Sequence, residues 1–322
     1  MTTLRLGSRG SQLALFQARL VAERVHAATG TQCEIVIIKT SGDRLQEAPL
    51  SEIGGKRLFV KEIEDSLLSG DIDLAVHSSK DMPAVLPDGL DVGAVLERED
   101  PRDALVLPVP GSEKGSGPLF RPRIGTGSVR RIAQLRKRFP TAEFLNVRGN
   151  LDTRLRKLDA GEYDLLVLAA AGLRRLGFGA RISVSVPLEE CVPAPGQGII
   201  AIEIRADDEK ARKAVGRVND DDASRALAAE RALVTALGGG CQMPIGGIAL
   251  PAGDSDLELH AVVASLDGAR IIRYKKAGPR ANAEALGRDV AGELLKQGAE
   301  DILNDAKRNE AHMPDPNSVR LT

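Results

Sequence analysis

The sequence has few large aromatic side chains, with six Phe, two Tyr and no Trp among 322 residues. Proteins that bind single-stranded nucleic acids generally stack the bases on such rings, and the chain carries no motif of a known nucleic-acid reader. Lys and Arg number 44 against 45 Asp and Glu, for a net charge of -1. Since the overall charge does not attract a polyanion of this size, we expect no nucleic-acid partner.

Cysteine is also scarce. Cys33, Cys191 and Cys241 are odd in number, widely spaced and without a Cys-x-x-Cys pair, which argues against both a disulfide framework and a zinc site. We therefore expect reduced thiols and no bound metal.

Long apolar runs are missing too. The longest run, near 165–171, is far shorter than a bilayer span, and the N-terminus lacks the apolar segment of a signal peptide. The sequence thus predicts a cytoplasmic protein with no membrane partner, and we take a monomer as the default state. The length and the 43% apolar content predict two or three domains.

What is present begins with a strand that runs through Ser8-Arg9-Gly10-Ser11 into an apolar-periodic helix, an opening typical of α/β folds. Arg9 is thus predicted at a helix N-terminus, where backbone N–H groups and the helix dipole favour anions. Arg9 as a solvated loop charge is the alternative reading.

A second junction follows the short apolar strand at 72–76, which leads directly into His77-Ser78-Ser79-Lys80-Asp81. Ligands of open α/β sheets bind beyond the carboxyl ends of the strands, so Asp81 could orient a substrate N–H group or stabilise a developing cation. The alternative is a surface ion pair with Lys80, worth less than about 1 kcal/mol. For His77 we favour a structural role, because no partner is visible in the sequence.

The region 121–181 is rich in cations, with twelve Arg and two Lys against five acidic residues, a local excess of nine. Three successive strand-to-helix junctions carry these arginines: Arg130 and Arg131; Arg148 and Arg154; Arg174 and Arg175. Cations at helix starts oppose the macrodipole, whereas a guanidinium grips a carboxylate with two hydrogen bonds. The pattern favours recognition of a small polycarboxylate or phosphate, although some arginines, such as Arg136 and Arg138, are expected only to solvate a helix.

Two glycine-rich segments leave alternatives open. Gly238-Gly239-Gly240 ends a predicted helix just before Cys241, and that thiol is either a packed apolar side chain or a tethering or nucleophilic group. Gly54-Gly55-Lys56-Arg57-Leu58-Phe59 is either a mobile lid or an exposed turn before a helix.

Seven motifs, in order over residues 4 to 300, together resemble the hydroxymethylbilane synthase family, also called porphobilinogen deaminases: Ser8 to Leu15, Gly54-Gly55-Lys56, His77 to Pro83, Gly125 to Arg131, Leu145 to Asn150, Pro195 to Gly198 and Gly239 to Gly246. The resemblance implies two α/β domains similar to type II periplasmic binding proteins, joined by a double crossover, and a small C-terminal α+β domain. We expect domain 1 at 1–98 and 197–217, domain 2 at 99–196, domain 3 at 218–305 and a disordered tail at 306–322.

The resemblance also implies site residues. Asp81 matches the catalytic aspartate, and Cys241 matches the cysteine that holds a dipyrromethane cofactor through a thioether. Lys56 and Phe59 fall on the active-site loop. The remaining matched positions imply binding of cofactor and substrate: Arg9, Ser11, Gln17, Ser78, Lys80, Thr126, Ser128, Arg130, Arg131, Arg148, Arg154, Arg175, Gln197 and Gly198. Gly127 stands where many members have serine.

The implied activity is that of a transferase that condenses four porphobilinogen molecules head to tail, with loss of ammonia, and releases linear 1-hydroxymethylbilane. The porphobilinogen acetate and propionate groups would explain the arginines. Two rival functions remain at this stage: a solute-binding module of the same fold, which would not need Cys241, and a nucleic-acid-binding protein, whose affinity would fall steeply with salt.

Overall fold

The computed structural model describes residues 3–41, 60–109, 121–239 and 243–311. Lys56, Phe59 and Cys241 therefore lie outside the described residues. The helices within these ranges are α1 Gln12–Thr29, α2 Lys61–Leu68, α3 Val129–Leu135, α4 Leu151–Asp159, α5 Ala170–Arg175, α6 Glu209–Val215, α7 Asp221–Ala236, α8 Ala283–Lys296 and α9 Ala299–Ala311. No helix in the described part of the chain is both long and apolar enough to cross a membrane.

The first sheet has the strand order β2-β1-β3-β10-β4. Its strands are β1 Leu4–Ser8, β2 Cys33–Ile37, β3 Leu74–Ser78, β4 Leu90–Val95 and β10 Ile200–Arg205. The first three are parallel, whereas β10 is antiparallel to both β3 and β4. Strand β10, which lies in the second segment expected for domain 1, at 197–217, thus returns to the first sheet from more than 100 residues away.

The second sheet has the order β7-β6-β8-β5-β9. Its strands are β5 Asp103–Val106, β6 Arg123–Gly125, β7 Glu143–Leu145, β8 Leu165–Ala169 and β9 Val184–Ser185. The predicted arginine-bearing junctions lie where β6, β7 and β8 lead towards α3, α4 and α5. Because β6, β7 and β8 are mutually parallel, these three junctions lie at the same edge of the sheet.

The third sheet is an antiparallel meander, β11 Ile245–Ala252, β12 Asp256–Ala264 and β13 Ile271–Pro279, covered by α7, α8 and α9. The helix before the glycines is also as predicted, and Gly238 has the expected left-handed conformation with φ 61°.

The predicted disordered tail is wrong for residues 306–311, because α9 continues to Ala311. Ala299, Ile302, Leu303 and Ala306 are buried in the core that α7, α8 and the third sheet share. Their spacing of three, one and three residues is that of one helix face, and burying this face stabilises the last helix. Residues 312–322 lie outside the described residues, and the domain boundaries themselves stay a prediction.

Candidate active site

A pocket lies at the carboxyl ends of β1 and β3 and is lined by Arg9, Ser11, Gln17, Ser78 and Asp81. Ser11 is the N-cap of α1, where its hydroxyl accepts a hydrogen bond from the Ala14 backbone N–H. One turn into the helix, Gln17 Nε2 donates to Ser78 Oγ at 2.9 Å. The structure thus brings together five of the predicted site residues from two separate junctions.

Lys80 and Asp81 follow β3 in a single 3₁₀ turn at Ser79–Asp81. Asp81 is exposed to the pocket, whereas Lys80 is half-buried and its Nζ lies 3.4 Å from Gln197 Oε1. The pKa of Lys80 is lowered to about 8. Burial is the largest cause, the charges of Arg131 and Arg130 act in the same direction, and Asp81 opposes them. The first unit therefore presents a cation and a carboxylate side by side, towards the arginines of the second unit.

Arg130 and Arg131 start α3 and are almost fully buried, with 4% and 7% of their surface exposed. Both form salt bridges with the fully buried Asp103, at 2.7 Å from Arg130 Nη1 and 2.8 Å from Arg131 Nη2. Gln197 Nε2 donates to the same carboxylate at 3.0 Å. Burial alone would raise the pKa of Asp103, but the two guanidinium charges hold it well below its ordinary value. Three predicted binding residues are thus organised by a carboxylate that the sequence analysis missed.

Asp103 left one signal in the sequence. It opens the buried strand β5, directly before the apolar residues 104–106. A carboxylate in such a place needs a charged or hydrogen-bonding partner, so a search for one was justified. Its partners, however, are 27 to 94 residues away, and the sequence alone does not identify them.

Arg148 and Arg154 come from the junction between β7 and α4. The Arg148 Nε atom is buried and has no hydrogen-bond partner within the described residues. Arg154 Nε donates to the Gly149 carbonyl at 2.8 Å. The pKa of Arg154 is lowered to about 10. Burial is the largest cause, Arg131 and Arg148 act in the same direction, and Asp81 opposes them. These cations are therefore close enough to one another and to Asp81 to interact, in an arrangement that favours a bound anion.

Thr126 and Ser128 lie on the turn between β6 and α3. Ser128 is the N-cap of α3, and its backbone N–H donates to Thr126 Oγ1 at 3.3 Å. Thr126 is buried, with 1% exposed. Both hydroxyls lie beside Arg130 and Arg131, which form the arginine cluster, and they also fix the start of α3.

Gly198 acts through its backbone. It has φ 90°, and an added Cβ would lie 2.2 Å from the Glu99 carbonyl oxygen, so no other residue fits without a shift. Its own carbonyl accepts a hydrogen bond from Arg175 Nη2 at 2.6 Å. Arg175 lines a different groove from the Asp81 pocket, so it is not gathered with Arg9 and Asp81.

His77 has a partner that the sequence did not reveal. Its Nε2 lies 3.0 Å from Glu203 Oε2, and both side chains are buried. Glu203 is on β10, 126 residues along the chain, beside β3. The pair links β3 to β10 beside the pocket, which agrees with the structural role expected for His77.

Comparisons with known proteins agree on one family. A family model described as porphobilinogen deaminase, dipyromethane cofactor binding domain, matches residues 4–213, and one described as porphobilinogen deaminase, C-terminal domain, matches residues 225–296. The porphobilinogen deaminase of Syntrophobacter fumaroxidans is 46% identical over 95% of this chain and 98% of its own length. That of Moorella thermoacetica is 45% identical over 95% and 97%.

Solved structures are similar at lower identity. The Bordetella pertussis BvgS VFT2 domain has a TM-score of 0.39 and 15% identity, covering 67% of this chain and 86% of its own. Immunogenic lipoprotein A from Vibrio vulnificus has a TM-score of 0.39 and 12% identity, covering 70% and 99%. The predicted fold class of two α/β units and a small α+β unit is confirmed by the three sheets and their helices.

Proposed function

Because the chain belongs to the porphobilinogen deaminase family, we propose that the residues around Asp81 bind the carboxylates of its cofactor and of its growing product. The activity is that of a hydroxymethylbilane synthase, a transferase that carries a dipyrromethane cofactor and acts on porphobilinogen. When bound, this cofactor supplies the pyrrole carbon to which the first substrate molecule is joined.

One observation carries the assignment of residues: Arg131, Arg148 and Asp81 all lie within electrostatic reach of the Arg154 guanidinium. The buried Nε of Arg148, which has no hydrogen-bond partner in the described part of the chain, is a donor that costs free energy until an acceptor reaches it. A dipyrromethane that carries acetate and propionate groups offers such acceptors. The donor set therefore fits this cofactor.

The roles divide between the two sides of the cleft. Arg9, Ser11, Ser78 and Lys80 bind carboxylates of cofactor and substrate from the first sheet, and the arginines of the second sheet bind such groups from the other side. Thr126 and Ser128 add hydroxyl donors, and Gln17 holds Ser78 in place.

Asp81 is the catalytic carboxylate. It is exposed to the pocket and lies beside Lys80, so its oxygens can accept hydrogen bonds from pyrrole N–H groups. A fixed carboxylate also stabilises positive charge that develops as ammonia leaves. Arg130, Arg131 and Gln197 all donate to Asp103, which fixes their orientation beside the site.

Cys241 attaches the cofactor, and Lys56 and Phe59 belong to the loop that covers the site. These assignments rest on the sequence motifs. We also propose that the protein is a cytoplasmic monomer with the domain boundaries given above.

Intact mass under denaturing conditions tests the proposal. We expect the purified protein to exceed its sequence mass by two pyrrole units, the Cys241→Ala variant to lack this excess, and the matched Cys33→Ala variant to keep it. An unmodified wild-type mass without consumption of porphobilinogen would instead favour a solute-binding module.

The same preparation tests Asp81. The Asp81→Ala variant should keep the added mass but turn over porphobilinogen ~10²–10³-fold more slowly, the range for loss of one electrostatic contact in a reaction site. Asp88→Ala, at an exposed carboxylate seven residues away, is the control and should keep full activity. Normal turnover in Asp81→Ala would refute the catalytic role.

A further inference from the structure

A second, larger groove lies further along helix α1 than the Asp81 pocket, towards the C-terminal end of the helix. Its volume is about 830 Å³, within the ~300–1,000 Å³ that small-molecule sites occupy. It lies where the first sheet, helix α5 of the second unit and the segment 217–220 before α7 come together. None of its lining residues also lines the Asp81 pocket.

The floor of the groove is apolar. Phe16 and Leu20 line it from α1, Ile200 from β10 and Val218 from the segment before α7. Phe16, Leu20 and Val218 are only half-buried, so they present apolar surface to whatever enters. A flat, apolar body would remove this surface from water and could stack on the Phe16 ring.

The sides of the groove are cationic. Arg24, Arg175 and Arg217 line it, and within the described residues none of the three forms a salt bridge. Burial lowers the pKa of Arg175 to about 10, although Glu99 raises it, and the hydrogen bond recorded for its guanidinium goes to a backbone carbonyl. An anion bound there would restore the interactions that this charge loses on burial.

The acidic residues at the groove are largely engaged elsewhere. Asp220 caps α7 by accepting a hydrogen bond from the Ala223 N–H at 2.8 Å. Glu99 accepts from the Asp100 N–H and lies 3.9 Å from Arg174. Glu99 also acts electrostatically on Arg175, and Glu97 is exposed at the edge of the groove. The lining nevertheless has five arginines against these three acidic residues. The groove therefore has a net attraction for carboxylates.

We propose that this groove is a second ligand site, which binds a polycarboxylate of linked pyrrole rings, the chemical class of the enzyme's own product. The apolar floor takes the rings, and Arg24, Arg175 and Arg217 take carboxylates at their edge. The identity of the ligand rests on the proposed function; the site itself rests on the groove. Because the lining spans the first sheet, α5 and the segment leading to α7, a ligand there also restrains movement between these units.

This site is tested by equilibrium dialysis, which measures the binding of a porphyrin octacarboxylate to the holoenzyme. We expect the double variant Arg24→Gln/Arg217→Gln to bind the probe at least tenfold more weakly than wild type. The control Lys210→Gln/Lys213→Gln removes the same charge from exposed positions on α6 outside the groove and should bind as wild type does. Without the probe, both double variants should turn over porphobilinogen at the wild-type rate.

Two further arms locate the ligand and define its chemistry. Hydrogen exchange should show that the probe protects the second half of α1 and residues 217–220, and the protection should disappear in the arginine variant. Citrate and inorganic phosphate should bind at least tenfold more weakly than the porphyrin, because they lack a flat apolar body. The enzymatically made linear product should compete with the porphyrin; failure to compete would restrict the site to macrocycles and overturn the assignment to the product class.

The site is refuted if wild type does not bind the probe, if the arginine variant binds it equally well, or if citrate and phosphate bind as tightly. Failure of the proposed function has a different signature. The pyrrole mass and porphobilinogen turnover would then be missing from wild type, while probe binding would still depend on Arg24 and Arg217.

Discussion

The buried carboxylate of Asp103 gives the sharpest test of how the arginine cluster is built. Substituting Asp103→Asn keeps the side-chain size but removes the charge that faces Arg130 and Arg131 at 2.7 and 2.8 Å. Removal of one partner of a buried ion pair costs about 3–5 kcal/mol, because the other charge stays buried without compensation. Here two guanidinium groups lose their partner, so we expect at least the upper part of that range.

Urea unfolding followed by circular dichroism measures this cost. Asp164→Asn is the matched control, because Asp164 forms a salt bridge with Arg123 at the same 2.8 Å in the same unit but at the surface, where the pair is worth less than about 1 kcal/mol. Equal losses in the two variants would refute the reasoning. Should Asp103→Asn not fold, Asp103→Glu, which keeps the charge but is longer by one methylene, should fold and lose less stability.

The other predictions concern groups whose pKa is shifted. The pKa of Lys80 is lowered to about 8 by burial, so its charge is lost as pH rises through 8; KM for porphobilinogen should increase over that range, and the Lys80→Arg variant should remove the increase. Burial raises the pKa of Cys191 to about 12, so iodoacetamide at pH 8 should leave this thiol unmodified in the native protein and alkylate it in urea. Mass spectrometry of the peptides reads out the second experiment, and rapid native alkylation would contradict it.

Local features of the site could be predicted from the sequence, because neighbouring residues determine them. Ser11 and Ser128 cap helices α1 and α3, and a strand followed at once by a helix places such residues at the edge of a sheet. The 3₁₀ turn that carries Asp81 likewise follows directly from the end of β3. The periodicity that reveals these elements extends over less than twenty residues.

Long-range partners could not be predicted in this way. Asp103 meets Gln197 across 94 residues and His77 meets Glu203 across 126, and a single sequence does not say which buried charges face each other. The sequence predicts Arg175 at the Asp81 site because its junction repeats the pattern of the others, yet Arg175 lines the second groove. The last helix is a different case, since the apolar spacing of Ala299, Ile302, Leu303 and Ala306 is local and is visible in the sequence.

Glu230 shows how the third unit contributes to the active site without lining the Asp81 pocket. This buried carboxylate on α7 accepts two hydrogen bonds from Arg98, at 2.6 and 3.1 Å, and one from the Gly196 N–H at 2.6 Å. It also accepts from the Ala249 N–H on β11 at 2.8 Å. Arg98 and Gly196 belong to the two chain segments that connect the larger sheets, so a single side chain of the third unit holds both connections.

This anchorage continues into the site through Gln197, the residue after Gly196. Its amide lies between Lys80 of the first unit, at 3.4 Å, and Asp103 of the second, at 3.0 Å. Since Asp103 in turn orients Arg130 and Arg131, the position of the connecting segment determines how the cations of the second unit face Asp81. A movement of the two units about these connections therefore either preserves the Glu230 contacts, and with them the geometry of the arginine cluster, or breaks both together.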